Sequence, residues 1–176
     1  YWIPENSFGV GGTSPFVYDD RTGEFIEPTL DHLVHIAKTV NQADGVNFMA
    51  RGVLLKKQEV KVMDTIIEHC DKPVYVAAVT EEGIARAKEI HETRGGITIQ
   101  FSILNSPLSL IESMVEPFLA CIEAGLPIYV STMPMAGLSA PYSMSGLLTL
   151  THAEALFGIT LTQLVNPGLT TVHAGL

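Results

Sequence analysis

The sequence predicts an α/β fold with a parallel sheet, and three observations carry that prediction. From about Gly45 onward, short β-branched apolar runs alternate with amphipathic segments at helical spacing. Strand starts recur roughly every 25 to 40 residues, room for one strand and one crossover helix. Hydrophobic residues make up 47% of the 176 residues and charged ones 16%, enough apolar surface for a packed core and too little charge for a disordered chain.

Each element has its own local reason. The Gly/Ser/Pro-containing stretch to Pro28 reads as a loop or hairpin, and Thr29-Leu30-Asp31 is a capping signal that opens a helix over 29–40. Strands are expected over 46–50, 74–79, 97–104, 128–132 and 169–173. Helices are expected over 57–70, 81–93, 108–124 and 143–164, the last either continuous or broken near Gly158. Lys72-Pro73 and Leu126-Pro127 restart the chain before strands, and Gly95-Gly96 and Gly125 end helices. Thr80, followed by Glu81 and Glu82, caps a helix with acids in its first turn.

Two parallel architectures compete, an open doubly wound sheet and a (β/α)8 barrel of the TIM type. No Gly-x-Gly-x-x-Gly follows a strand, and Gly9-Val10-Gly11-Gly12 precedes no helical pattern, so a dinucleotide site is a weak reading and the barrel gains. A whole barrel takes about 250 residues, and about five or six strands are expected here, so the barrel is incomplete. The domain expectation is one partial barrel over 1–176, with 1–28 an entry segment and 29–176 the βα units. The opening Tyr1-Trp2-Ile3-Pro4-Glu5 lacks the features of a signal peptide, and both ends read as internal cuts.

Charge excludes several functions. The net charge is -9 and the pI about 5.0, with no basic stripe interleaved with aromatics, so nucleic acid is not an expected partner. All ten Lys and Arg lie between Arg21 and Arg94. From Gly95 to Leu176 the only charged residues are Glu112, Glu116, Glu123 and Glu154, so that half is expected to be mostly covered by barrel interior, subunit interface or partner. Apolar stretches are interrupted by Pro107, Glu116, Pro141, His152 and Glu154, short of a membrane span. Cys70 and Cys121 lack metal-ligand spacing and read as reduced thiols of a cytoplasmic protein.

In a parallel barrel the chemistry sits just after each strand. Asn105-Ser106-Pro107-Leu108 follows one strand and Met133-Pro134-Met135-Ala136-Gly137-Leu138-Ser139-Ala140-Pro141 the next. The second run, entered through Gly125-Leu126-Pro127-Ile128, resembles the Gly-Leu-Pro and Pro-x-Ala-Gly-x-x-x-Pro segment of the trimethylamine and betaine methyltransferases. Gly146, Ala153-Glu154 and Gln163-Leu164-Val165-Asn166-Pro167-Gly168 follow in that family's order. Asn105-Ser106-Pro107-Leu108 is similar to its Ser-Pro-Leu turn, and Asp20-Arg21-Thr22-Gly23-Glu24 to its Asp-x-x-Thr-Gly entry.

The resemblance implies a barrel methyltransferase that passes a methyl group from a methylated amine to a corrinoid (cobalamin) carried by a partner protein, with no cofactor bound directly. A homo-oligomer is also expected. Thr132, Leu138 and Tyr142 differ from the residues expected of the trimethylamine enzymes and point to a member without pyrrolysine. A quaternary ammonium leaves as a neutral amine, so few ionisable groups are required, and the barrel has to hold the cation and aim one methyl group. The alternative function is a non-catalytic barrel fragment serving as an interaction module.

The candidate site residues each have a plainer reading. Asn105 and Ser106 are polar contacts to substrate or turn caps. Met133 and Met135 form a soft pocket wall or fill the core. Gly137 and Ser139 shape a loop beside the ligand or a purely structural turn, and Tyr142 is an aromatic cation contact or a helix cover. His173, near a strand end, is a ligand contact or a hydrogen-bonded wall residue. Glu154 and His152, in an apolar helix, are read as structural hydrogen-bonding groups, and Gln163 and Asn166 as ties for that helix's last carbonyls. Arg51 either grips a carboxylate or forms a salt bridge. His32, His35, His69 and His91 are read as surface or helix-end residues.

Overall fold

A computed structural model describes residues 9–10, 13–53 and 58–175. The expected start of the second helix at residue 57 and the readings made on 1–8, 11–12 and 176 lie outside them. The chain divides into two compact units, Tyr1–Val76 with Glu92–Ile97, and Ala77–His91 with Thr98–Leu176.

In the first unit, β1 (Gly9–Val10), β5 (Phe48–Ala50) and β7 (Val74–Val76) form a parallel ladder, and β2 (Thr13–Ser14) pairs parallel with β6 (Gly52–Val53). The expected entry hairpin is β3 (Val17–Asp19) and β4 (Glu24–Ile26), antiparallel. Its turn is held by Asp19, whose carboxylate accepts the Arg21 N–H at 2.9 Å. That backbone hydrogen bond lowers the Asp19 pKa.

Helix α1 (Leu30–Gln42) starts one residue beyond the predicted cap, where the Thr29 N–H donates to His32 Nδ1 at 3.0 Å. It packs on α2 (Glu59–His69), which buries Val62, Met63 and Ile66. Two cations close helix ends, as the helix dipole favours. Lys72 Nζ donates to the Val40 and Ala43 carbonyls at 2.7 and 2.6 Å, and Arg94 Nη2 to the Cys70 carbonyl at 2.6 Å.

The second unit carries α3 (Glu81–Thr93) except its last two residues, β8 (Ile97–Phe101) except its first, β9 (Leu104–Asn105), β10 (Ser109–Leu110), α4 (Glu112–Glu123), β11 (Ile128–Thr132), α5 (Met144–Val165) and β12 (Thr171–Gly175). Thr80 caps α3, its Oγ1 accepting the Gly83 N–H at 3.0 Å. Strands β8, β11 and β12 run parallel, with β11 in the middle. One face buries Ile99, Phe101, Ile128 and Val130 under the helices, and Phe101 meets Phe118 of α4 edge-on at 5.3 Å. Gln100, Tyr129 and Val172 stand in register on the opposite face, only half-buried. Alternating α/β architecture with parallel strands is thus established, and no closed ring forms among the described residues.

The clearest departures from the sequence reading lie on either side of the Ser106-Pro107 turn. The strand over 97–104 stops at Phe101, and the helix over 108–124 begins only at Glu112. Leu104–Asn105 and Ser109–Leu110 instead pair antiparallel around the Ser106-Pro107 turn, with Leu108 at φ +51, which a helix cannot contain. The long helix runs unbroken through Gly158. That glycine sits against β11, and a Cβ there would lie 2.7 Å from Val130 Cγ1.

Candidate functional site

The site is assembled in the second unit from the segments that leave β8 and β11 at their carboxyl ends. After β11, the chain folds back on the Met135 carbonyl, which accepts the N–H groups of Leu138, Ser139 and Ala140 at 3.0 to 3.1 Å. The Ser139 hydroxyl accepts the Met135 N–H at 2.9 Å, and Gly137 N–H reaches the Ala140 carbonyl at 2.9 Å. Gly137 lies at φ +76, a conformation that a side chain disfavours. A Cβ there would also meet the Tyr142 ring at 3.3 Å. The loop is therefore a self-bonded corner that ends where Ser143 caps α5, its Oγ accepting the Gly146 N–H at 3.2 Å.

The corner after β8 is fixed from below by Glu154. This carboxylate on α5 has no exposed surface, accepts the Ser106 hydroxyl at 2.7 Å and accepts the Leu108 N–H at 2.9 Å. The structural reading of Glu154 therefore has its partners, and Ser106 spends its hydroxyl on that contact. Asn105, exposed, pairs with Ser109 in the β9–β10 ribbon.

Both corners line one open cleft of about 870 Å³. Pro107 and Leu108 form one wall, Leu138, Ser139 and Pro141 another, and Gly146 and Leu150 of α5 the floor. Around it lie large exposed apolar side chains, Leu138 and Tyr142 at 78% and 87% exposure, with Met133 and Met135 also exposed on the loop after β11. Of the predicted residues, Ser139 lines the cleft, Ser106, Gly137 and Tyr142 belong to its corners, and Asn105, Met133 and Met135 flank them. Of the apolar lining residues, the sequence marks Leu138 only as a departure from the family, and Pro141 and Leu150 are not read as site residues, because an isolated Leu or Pro in sequence reads as core or turn. Only the Pro-x-Ala-Gly-x-x-x-Pro spacing marked the loop that carries two of them.

His173 is placed elsewhere. It registers with Val130 and faces α5, its ring 6.4 Å from that of His152, and its buried Nδ1 has no partner among the described residues. Thr132 Oγ1 is likewise buried without a partner. Gln163 and Asn166 do tie down chain ends, but not those of their own helix. Gln163 bonds Leu169 O at 2.8 Å and Gly168 N–H at 2.9 Å, holding the approach to β12, while Asn166 Nδ2 donates to Ile122 O of α4 at 3.1 Å.

Besides Asp19, two ionisable groups have perturbed pKa values. Burial pushes the Tyr129 phenol up. In the first unit, burial lowers the Arg51 pKa, opposed by the attraction of Glu59, which fits the ion-pair reading of that arginine. Among the described residues, no group of three or more His, Cys, Asp or Glu could hold a metal ion.

Comparison with known proteins bears on the same segments. The sequence profile of the trimethylamine methyltransferase (MTTB) family matches residues 5–175. A glycine betaine methyltransferase of Desulfitobacterium hafniense is 28% identical over 97% of the chain, which spans 40% of that protein's length. A proline betaine:corrinoid methyltransferase of Eubacterium limosum is 36% identical over 36% of the chain and 13% of its own length. A trimethylamine methyltransferase of Methanosarcina mazei is 41% identical over 39% of the chain and 14% of its own length.

Proposed function

The chain belongs to the trimethylamine methyltransferase family, and from that premise we propose that it serves methyl transfer from a methylated amine to a corrinoid carried on a separate protein. The substrate is a quaternary amine such as a betaine, or trimethylamine, and the βα units are part of a (β/α)8 barrel. One observation carries the reading: the corners after two parallel strands, β8 and β11, wall a single apolar cleft at the strands' carboxyl ends. That is where a parallel barrel keeps its chemistry.

The corrinoid, held by its own protein, supplies the nucleophilic metal. The openness of the cleft and its exposed apolar rim fit an approach by such a partner. The chain's own residues position the amine. Glu154 fixes the Ser106–Leu108 corner, and Gly137 and Ser139 hold the opposite loop. Tyr142 offers an aromatic face to a cation, an interaction worth on the order of 0.5 to 2 kcal/mol. Met133, Met135 and Asn105 complete the mouth; His173, turned toward α5 and outside the cleft lining, is not assigned to it.

We place the protein in the cytoplasm as a homo-oligomer without pyrrolysine; no helix among the described residues is long and apolar enough to cross a membrane. The test mixes the full-length protein with a reduced corrinoid protein and a panel of methylated amines and follows methylcobalamin formation. Formation with a betaine supports the reading, and none with any amine removes it.

A further inference from the structure

The cleft is lined only by Pro, Leu, Ser, Ala, Gly and Thr, with no ionisable side chain. Directly behind that lining is a charge. Glu154 follows the lining residue Ala153, binds the lining residue Leu108, and is wholly buried. Its two oxygens each take one hydrogen bond, from the Ser106 hydroxyl at 2.7 Å and the Leu108 N–H at 2.9 Å.

Among the described residues no cation pairs with it. From Gly95 to Leu176 there is no Lys or Arg. In the second unit the basic residues are Arg86, paired with Glu89 at 2.6 Å, and exposed Lys88, both on α3. Two hydrogen bonds offset part of the cost of burying a carboxylate, and a counter-charge would offset more. The uncompensated field acts through low-dielectric side chains, where it is screened less than in water.

We infer that Glu154 is a specificity-determining residue that makes the cleft select a trimethylammonium cation over an uncharged group of the same shape. The inference deepens the proposed function and rests on the cleft being the amine site. Its chemistry is long-range attraction, without contact between the carboxylate and the ligand.

The test compares choline with its neutral isostere 3,3-dimethyl-1-butanol, by calorimetry or ligand-observed NMR, on wild type and Glu154→Gln. Glutamine keeps the length and an acceptor for the Leu108 N–H while removing the charge. Wild type should prefer choline, and E154Q should weaken choline by about tenfold while leaving the alcohol unchanged. A merely structural glutamate would instead weaken both probes together. Equal loss, no loss, or a wild type that binds both probes alike or neither overturns the inference. Should E154Q not fold, Tyr142→Leu decides: a choline preference that survives it supports the carboxylate, and one lost with the ring overturns the inference. Methyl transfer is scored separately: an active enzyme whose choline preference survives E154Q refutes only this inference, whereas a charge-dependent preference without demethylation of any amine refutes only the catalytic reading.

Discussion

Gly158→Ala probes how closely α5 is seated on β11, the contact that carries Glu154 to the corner it holds. The added Cβ would sit 2.7 Å from Val130 Cγ1 and 2.9 Å from Cγ2. Val130 is fully buried and β-branched, so its methyl groups cannot swing aside. Helix propensity alone would favour alanine by about 1 kcal/mol. Overpacking costs about 1 to 3 kcal/mol, and an approach of 2.7 Å to a locked side chain belongs in the upper half of that range, so the expected net change is a loss of roughly 1 to 2 kcal/mol.

Urea denaturation followed by circular dichroism measures it. Val130→Ala removes the obstructing methyl groups at its own cost, and the double variant should be more stable than the sum of the single losses predicts, by about 1 kcal/mol. Because Glu154 lies one helical turn before Gly158, G158A should also reduce amine turnover by displacing the Ser106–Leu108 corner. A G158A protein as stable as wild type, or strictly additive losses in the double variant, would refute the packing argument.

Other outcomes are equally definite. Gly137→Ala must hold a side chain at φ +76 and push on Tyr142; it should cost about 1 to 2 kcal/mol and raise KM for the amine more than it lowers kcat, as steady-state kinetics would show. Gln163→Ala removes the bonds to Leu169 and Gly168, and hydrogen exchange should speed up locally over 166–171, with a stability loss of about 1 to 2 kcal/mol; unchanged exchange there contradicts the clasp. Tyr129 holds its proton more tightly in the fold than the ordinary tyrosine value of 10.0. The associated stabilisation is fully present below about pH 10 and is lost as the pH rises through the raised folded value. Absorbance titration of wild type against Tyr129→Phe should find the missing phenol ionising above 10, and a lower midpoint would be inconsistent with its burial.

Much of the fold was legible along the chain because its determinants are local. The residue 81–93 helix and the 128–132 strand match the structure to the residue, since a Thr80 cap, Leu126-Pro127 and apolar periodicity act within a few positions. The family was legible too, because glycines, prolines and a buried Glu at fixed spacing mark corners that few other sequences need.

What tertiary structure alone decided is which distant residues share a wall. Pro107 and Leu108 join Leu138 and Leu150 in one cleft, Ser106 finds Glu154 across 48 positions, and His173 faces α5. Side-chain direction depends on strand register and helix seating, which are fixed by contacts such as Val130 against Gly158 and not by the identity of the residue itself. The same physics explains the misplaced helix start at residue 108. A backbone reversal held by a carboxylate from another element leaves no periodic trace in the segment it reverses.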